Sequence, residues 1–401
     1  MEAITTTTAL AIRETPEALS QAIPLHHDVH WGAKPGDLTT LVLSDVRDHL
    51  QRERTFADPR WIRRLPAHVR VGFGDGSRRA GMREVSSVGG ELSYGELHTF
   101  TDHGLKSLAR HVLPAHGLKT INALCETGAA GAKVADLAWN QIATASPKPV
   151  ELRTWNVMDP TTGRKVRAVR AAFTKYGEVD NLELVDELMD FDDLSSLPVL
   201  AYTKTDTAMR IRFALDPIDQ FELGRPIRMV EAWNSEVGCR SVGLCGGLWW
   251  GKCTNGMASW EADNRWSWRH TGNVQRIRDG LPGAITEIKL KATGLAEQYE
   301  QSLSAAIDDA HGFMVDIFAD TLTGEQIERA SVALTDPTTA RHSTGRPLLA
   351  SVIDAVTLAA QAEIDLFRQQ QMEGGAMQAL RVGIQRANDP TDSSVRYLDW
   401  A

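Results

Sequence analysis

The residues best suited to chemistry crowd between Trp233 and His270, a stretch holding six of the eleven tryptophans interleaved with Arg240, Lys252, Arg265 and Arg269. An arginine can meet a phosphate while a neighbouring aromatic ring stacks on a base, each stacked base contributing about 1–3 kcal/mol without sequence preference. In "NRWSWRHTG", Trp266 and Trp268 share one face of an extended strand, and Arg265, Ser267 and Arg269 share the other. Upstream, "ELRTWNVMDPTTGRKVRAVRAAFTK" reads as two strands around an Asp-Pro-Thr-Thr-Gly turn and adds Arg153, Arg167, Arg170 and Lys175. Core packing is the competing use of any one tryptophan, and it suits Trp233 and Trp250 best.

Other chemistries fit less well. Cys239, Cys245, Cys253 and His270 lack the close cysteine pairs of structural zinc sites. On one extended strand, Cys245 and Cys253 stand roughly 26 Å apart, too far to share an ion. "HHDVH" (His26, His27, His30) sits in a segment that reads as an arm. "VDELMDFDD" offers Asp186, Glu187, Asp190 and Asp193 to a metal, but a solvated helix end explains it more simply. "GFGDGS" lacks the Gly-Lys-Ser/Thr of a phosphate loop, and no G-x-S-x-G or H-E-x-x-H occurs. No catalytic residue, metal or cofactor is therefore expected.

Along the chain, a strand is favoured over residues 241–253, because so many glycines disfavour a helix. Val242, Leu244, Gly246, Leu248, Trp250 and Lys252 make one face, read as the core side. Ser241, Gly243, Cys245, Gly247, Trp249, Gly251 and Cys253 make a nearly bare one, open to close approach. Helical spacing marks "TTLVLSDVRDHLQRE" through Leu43, Val46 and Leu50, and "TDHGLKSLARHVLPAHGLKTINALCE" through Leu105, Leu108, Ala109 and Val112, with Pro114 ending that run. Gly-rich turn chemistry marks a hairpin at "HVRVGFGDGSRRAGM". A short helix is expected at "NLELVDELMDF", and strands at "AMRIRFAL" and "PIRMVEAWNS". The expected fold is α+β, with a central antiparallel sheet, flanking helices and an all-helical C-terminal region. The expected divisions are a flexible arm (1–30), a helical and hairpin region (31–145), a β-rich domain (150–283), a helical region (284–372) and a polar tail (373–401), with "SPKP" as linker.

The net charge of −9 is uneven: residues 1–280 carry 34 basic and 35 acidic side chains, and residues 281–401 carry 9 and 17. Segregated acidity leaves room for a basic face. The start has neither a basic leader nor a sustained apolar run, and no apolar run reaches membrane-spanning length. With four scattered cysteines, a reducing cytoplasm is expected.

"RAVRAAFTKYGEVDNLELVDEL", "VEAWNSEVGCRSVGL", "GLWWGKCTNGM" and "RHTGN" follow one another in an order that resembles the phage/plasmid-like protein family called domain of unknown function 932. "FTDHGLKSLARHVLPAHGLKTINAL" and "VIDAVTLAA" extend the resemblance to about residues 30–360. Asn234, Ser235, Gly238, Cys253, Thr254, Asn255, Gly256, Arg269 and His270 fall on its motifs. Asp354 stands where the family more often has Asn, and Thr174-Lys175 where it often has Ser-Asp. The resemblance implies a phage, prophage or plasmid gene, often of the kind encoding accessories of DNA metabolism, and carries over no catalytic residue.

The expectation is a non-enzymatic protein that binds single-stranded nucleic acid, most simply DNA, for annealing in recombination or replication. Arg153, Arg167, Arg170, Lys175, Lys252, Arg265, Trp266, Trp268 and Arg269 would hold the strand. Asn234, Asn255 and His270 would brace turns through hydrogen bonds to backbone. A ring or filament of identical subunits is expected by analogy with annealing proteins. The alternatives are a metal-dependent nuclease or nucleotide-processing enzyme using Asp/Glu and His270, and a phage structural or host-targeting protein whose Trp/Arg-rich face binds protein.

Overall fold

The computed structural model of the 401-residue chain describes residues 29–32, 41–64, 66, 69–73, 80–88, 91–146, 148–158, 163–174, 176–190, 196–205, 207–215, 226–250, 257–270, 275–335, 342–343, 346–363 and 366–398. The fold is α+β, with antiparallel sheet, flanking helices and a mainly helical C-terminal region. Among the described residues, two six-stranded sheets hold twelve of the sixteen strands.

The first sheet runs β1 (Val29–Gly32), β8 (Val199–Lys204), β9 (Met209–Ala214), β10 (Ile227–Asn234), β11 (Val242–Trp250) and β12 (Met257–Trp268), with every neighbour antiparallel. In "MRIRFA" of β9, apolar and arginine side chains alternate, so successive residues point to opposite faces. On one face Tyr202, Ile211, Phe213, Val230, Ala232, Val242 and Leu244 form a buried core. Helices α1 (Leu43–Ala57), α5 (Asn181–Met189) and α6 (Gln275–Ser302) cover it with Leu43, Val46, Leu50, Leu184, Leu188, Leu281 and Ile285. Each large apolar side chain fully buried there contributes about 1.5–3 kcal/mol. Helix α1 begins where Asp45 accepts the Val42 N–H at 3.0 Å, a cap that satisfies an otherwise orphaned donor.

The second sheet runs β2 (Arg60–Arg64), β6 (Val150–Met158), β7 (Lys165–Phe173), β5 (Glu91–Phe100), β4 (Ala80–Val88) and β3 (Val69–Phe73). All its pairs are antiparallel except β5 and β7. Helices α2 (Asp102–Val112), α3 (Gly117–Cys125) and α4 (Ala129–Thr144) make the crossover and pack Leu108, Val112 and Trp139 on Leu152 and Val169. Thr101 Oγ1 caps α2 by accepting the Gly104 N–H at 3.0 Å. This sheet draws β2–β5 from before the "SPKP" segment and β6–β7 from after it, so that segment does not separate two bodies.

The C-terminal region assembles α6, α7 (Ala310–Phe318), α8 (Gly324–Leu334), α9 (Leu349–Gln361) and α10 (Leu366–Asn388) around Tyr299, Phe313, Phe318, Ile353 and Leu380. Short pairs β13 (Ala305–Ile307) with β16 (Val395–Tyr397), and β14 (His342–Ser343) with β15 (Arg346–Pro347), close it. Two expected boundaries move. Helix α6 starts at Gln275, nine residues before the expected boundary at 284, and carries Pro282 inside it. The segment after Glu373 is not a polar tail, because α10 buries Met372, Ala376, Met377, Ala379 and Leu380. Of the expected arm, residues 1–28 lie outside the described residues, and Val29–Gly32 pair with β8.

Candidate nucleic-acid interface

Arg153, Arg167 and Arg170 of β6 and β7 are buried, which corrects the expectation for all three. Arg153 is completely buried. Its Nη1 donates to the Glu236 carbonyl at 2.9 Å, and its Nη2 donates to Asp180 and lies 3.2 Å from Glu178. Trp61 and Trp155 flank its guanidinium, each ring centroid at 5.4 Å. Arg170, also buried, lies 3.9 Å over the Trp155 ring and 3.7 Å from a Glu236 oxygen. Arg167 is bound to the Asp58 carboxylate at 2.8 Å and to the Asp58 carbonyl. A desolvated cation needs such partners. Phosphate binding would have to strip them away.

The same cluster sets its own protonation. Burial opposes the Arg153 charge, but Glu236, Asp180 and Glu178 outweigh it and hold its pKa above the ordinary value. Burial pushes Glu236 and Glu178 up, against the pull of Arg153. A small neighbouring cleft is lined by Glu53, Arg54, Trp155, Asp180 and Glu236. Arginines within the otherwise apolar runs of β6 and β7 were the available signal for this cluster. Their carboxylate partners, distant in sequence, carried none.

The second face of the first sheet is a polar row in register: Arg212, Glu231, Cys245 and Arg265 lie abreast, as do Arg210, Trp233, Gly243 and Ser267. Glu231 is bound by Arg210 at 2.5 Å and Arg212 at 2.7 Å. Glu373 of α10 joins both arginines, at 2.6 Å from Arg210. Burial pushes Glu373 up to about 8 even though Arg212 opposes the shift. The face of β11 expected to be bare is thus covered. Gly243 is the close approach, since a Cβ there would lie 2.1 Å from the Trp233 ring. Trp249 and Cys245 are buried on that face too, and burial raises the Cys245 thiol pKa.

At its outer strand the row meets solvent. Arg265, Ser267 and Arg269 are exposed, alternating with the half-buried Trp266 and Trp268. Those two rings pack against the apolar core, and a Cβ at Gly280 of α6 would lie 3.0 Å from Trp268. They are therefore not available to stack bases, a correction that follows from strand alternation. Arg265 instead covers Trp233, 4.9 Å from its centroid, and Trp233 itself is buried. Ser267 shares a 2.6 Å hydrogen bond with Ser241 of the adjoining turn.

The motif residues brace the junction between the sheets. Asn234 Nδ2 donates to the Val179 carbonyl at 2.8 Å and to Asn181 Oδ1 at 3.0 Å. Ser235 Oγ donates to the Thr207 carbonyl at 2.6 Å. Gly238 takes φ +72° beneath the Phe173 ring, a conformation and a proximity that favour glycine. His270 Nδ1 donates to the Gly177 carbonyl at 3.1 Å, and its ring stacks on Tyr176 with centroids 4.8 Å apart. Lys175, Lys252, Cys253, Asn255 and Gly256 lie outside the described residues. Asp186 and Glu187 pair with Arg47 at 2.9 Å and Arg278 at 3.1 Å. Among the described residues, no three His, Cys, Asp or Glu side chains are grouped to hold a metal, and no helix is long and apolar enough to cross a membrane.

Compared with protein-family models, curated proteins and solved structures, the chain matches none.

Proposed function

We propose that the protein binds single-stranded nucleic acid, most simply DNA of a phage or plasmid, along the outer face of β12. It acts without catalysis, as an annealing or strand-protecting homo-oligomer in recombination or replication. The observation carrying this reading is the exposure of Arg265 and Ser267 on one face of the outer strand and of Arg269 just after its end. Two guanidiniums two pleats apart can track a phosphate backbone, and the hydroxyl between them can donate to it. Because Trp266 and Trp268 turn inward, binding rests on charge more than on stacking, and affinity falls steeply with salt.

Fluorescence anisotropy of a labelled oligothymidine across a salt series tests it. Each phosphate contact on a single strand contributes about 0.7 to the log–log salt slope, so Arg265→Ala/Arg269→Ala lowers that slope by about 1.4. Binding that persists in a chelator separates this reading from a metal-dependent nuclease. Absence of binding at low salt, or an unchanged slope in the folded double variant, overturns it.

A further inference from the structure

The exposed cations do not stop at the outer face of β12. Ser267, between Arg265 and Arg269, is bonded to Ser241, so the β10–β11 turn extends that face sideways. Two residues before Ser241, the exposed Cys239 has its Sγ 3.2 Å from the His103 ring. The Val237 carbonyl of the same turn lies 3.1 Å from His103 Nε2. His103 belongs to the first turn of α2, in the helical layer of the second sheet. The turn thus bridges the outer strand of one sheet and a helix of the other.

His103, Lys106 and Arg110 follow one another at spacings of three and four residues, which sets them on one face of α2. The opposite face is seated on β7. Ser107 Oγ donates to the Ala172 carbonyl at 2.8 Å, Leu108 is buried, and a Cβ at Gly104 would overlap the Val169 carbonyl. Lys106 and Arg110 are exposed, and among the described residues neither forms an ion pair, even with Asp102 one turn earlier. Arg153, Arg170 and Arg212 contrast with them, since each is buried against a carboxylate. An exposed cation without such a partner is free to neutralise a phosphate and release its counterions.

We propose that a single strand of nucleic acid lying along β12 continues over the β10–β11 turn and onto α2, where Lys106 and Arg110 hold its phosphates. This rests on the binding reading above and extends the same site across both sheets. The strand portion, Arg265 to Arg269, covers about 13 Å, and the helix portion, His103 to Arg110, about 10 Å. With the turn between them the track is roughly 30 Å long, which about nine nucleotides cover at a stacked spacing of about 3.4 Å.

The test is the anisotropy of a labelled oligothymidine of about fifteen nucleotides, long enough to fill the track, across a salt series. Lys106→Ala/Arg110→Ala is expected to lower the log–log salt slope by about 1.4, the share of two single-strand phosphate contacts. Combining it with Arg265→Ala/Arg269→Ala brings the loss to about 2.8, because the two pairs meet different phosphates. Lys289→Ala/Lys291→Ala, on α6 over the opposite face of the first sheet, leaves the slope unchanged. An unchanged slope in folded Lys106→Ala/Arg110→Ala overturns the extension, while a lowered slope in Arg265→Ala/Arg269→Ala keeps the binding reading intact. An equal fall in the Lys289/Lys291 variant also overturns it, since net charge alone would then set the slope. Absence of binding by the wild-type chain at low salt overturns both.

Discussion

Arg153 of β6 donates its guanidinium to the carboxylate of Asp180, the N-cap residue of α5, and both side chains are buried. The same guanidinium reaches the Glu236 carbonyl in the β10–β11 turn. One arginine thus pins the second sheet to the first sheet and its helical layer. A residue whose type suggests phosphate binding is a fastener between two sheets.

Removing that fastener leaves Asp180, Glu178 and Glu236 gathered without their shared cation. Arg153→Ala should lower the free energy of unfolding by about 3–5 kcal/mol, the usual cost of breaking a buried ion pair on one side. Urea unfolding measures it, and an unmoved midpoint contradicts the assignment. Arg265→Ala, at the exposed edge, should stay within about 0.5 kcal/mol of wild type.

Two glycines make a matched pair. A Cβ at Gly243 meets the Trp233 ring at 2.1 Å and the Trp266 carbonyl at 2.7 Å, so Gly243→Ala should cost at least about 1–3 kcal/mol through overpacking. A Cβ at Gly294, inside α6, meets nothing within 4 Å. Gly294→Ala should raise stability by about 0.5–1 kcal/mol. Thermal melting of the two variants should move in opposite directions.

Stability should carry a signature of His270. Burial lowers its pKa, Arg153 adds to the shift, and the hydrogen bond to Gly177 opposes it. The unfolded chain therefore takes up a proton, near the ordinary value of about 6.5, that the folded chain resists. The contribution is present in full above that value and is lost as pH falls through the folded pKa. Unfolding measured from about pH 7.5 to 5 should steepen less in His270→Gln than in wild type. An imidazole resonance titrating at or above about 6.5 would count against it.

Glu373 docks α10 onto the polar face of the first sheet through Arg210 and Arg212. Glu373→Ala leaves two buried guanidiniums dependent on Glu231 alone. Hydrogen exchange should speed up across Leu366–Asn388, and global stability should fall by about 3–5 kcal/mol. Unchanged protection in α10 would show that apolar packing alone seats the helix.

Periodicity carried much of the fold. The alternation in "AMRIRFAL" and "PIRMVEAWNS" places β9 and β10 to within a residue. The helical spacing in "TTLVLSDVRDHLQRE" and before Pro114 finds α1 and α2, although α1 runs four residues past that first stretch, to Ala57. These signals are local, so a short window contains them. The opposition of Arg265, Ser267 and Arg269 to Trp266 and Trp268 was legible for the same reason. The start of the long helix was not placed: α6 opens at Gln275, nine residues before the expected boundary at 284, with Pro282 inside it.

What the sequence by itself determined is therefore which side chains share a face. Only the tertiary structure decided which face meets water. Arg153, Arg170 and Arg212 carry the same charge as Arg265, yet their partners Asp180, Glu236 and Glu373 arrive from separate elements and seal them inside. Gly243 looks bare along the strand until Trp233 of β10 is laid over it. The cost of burying a charge depends on what stands opposite, and that is set by contacts between residues far apart in the chain.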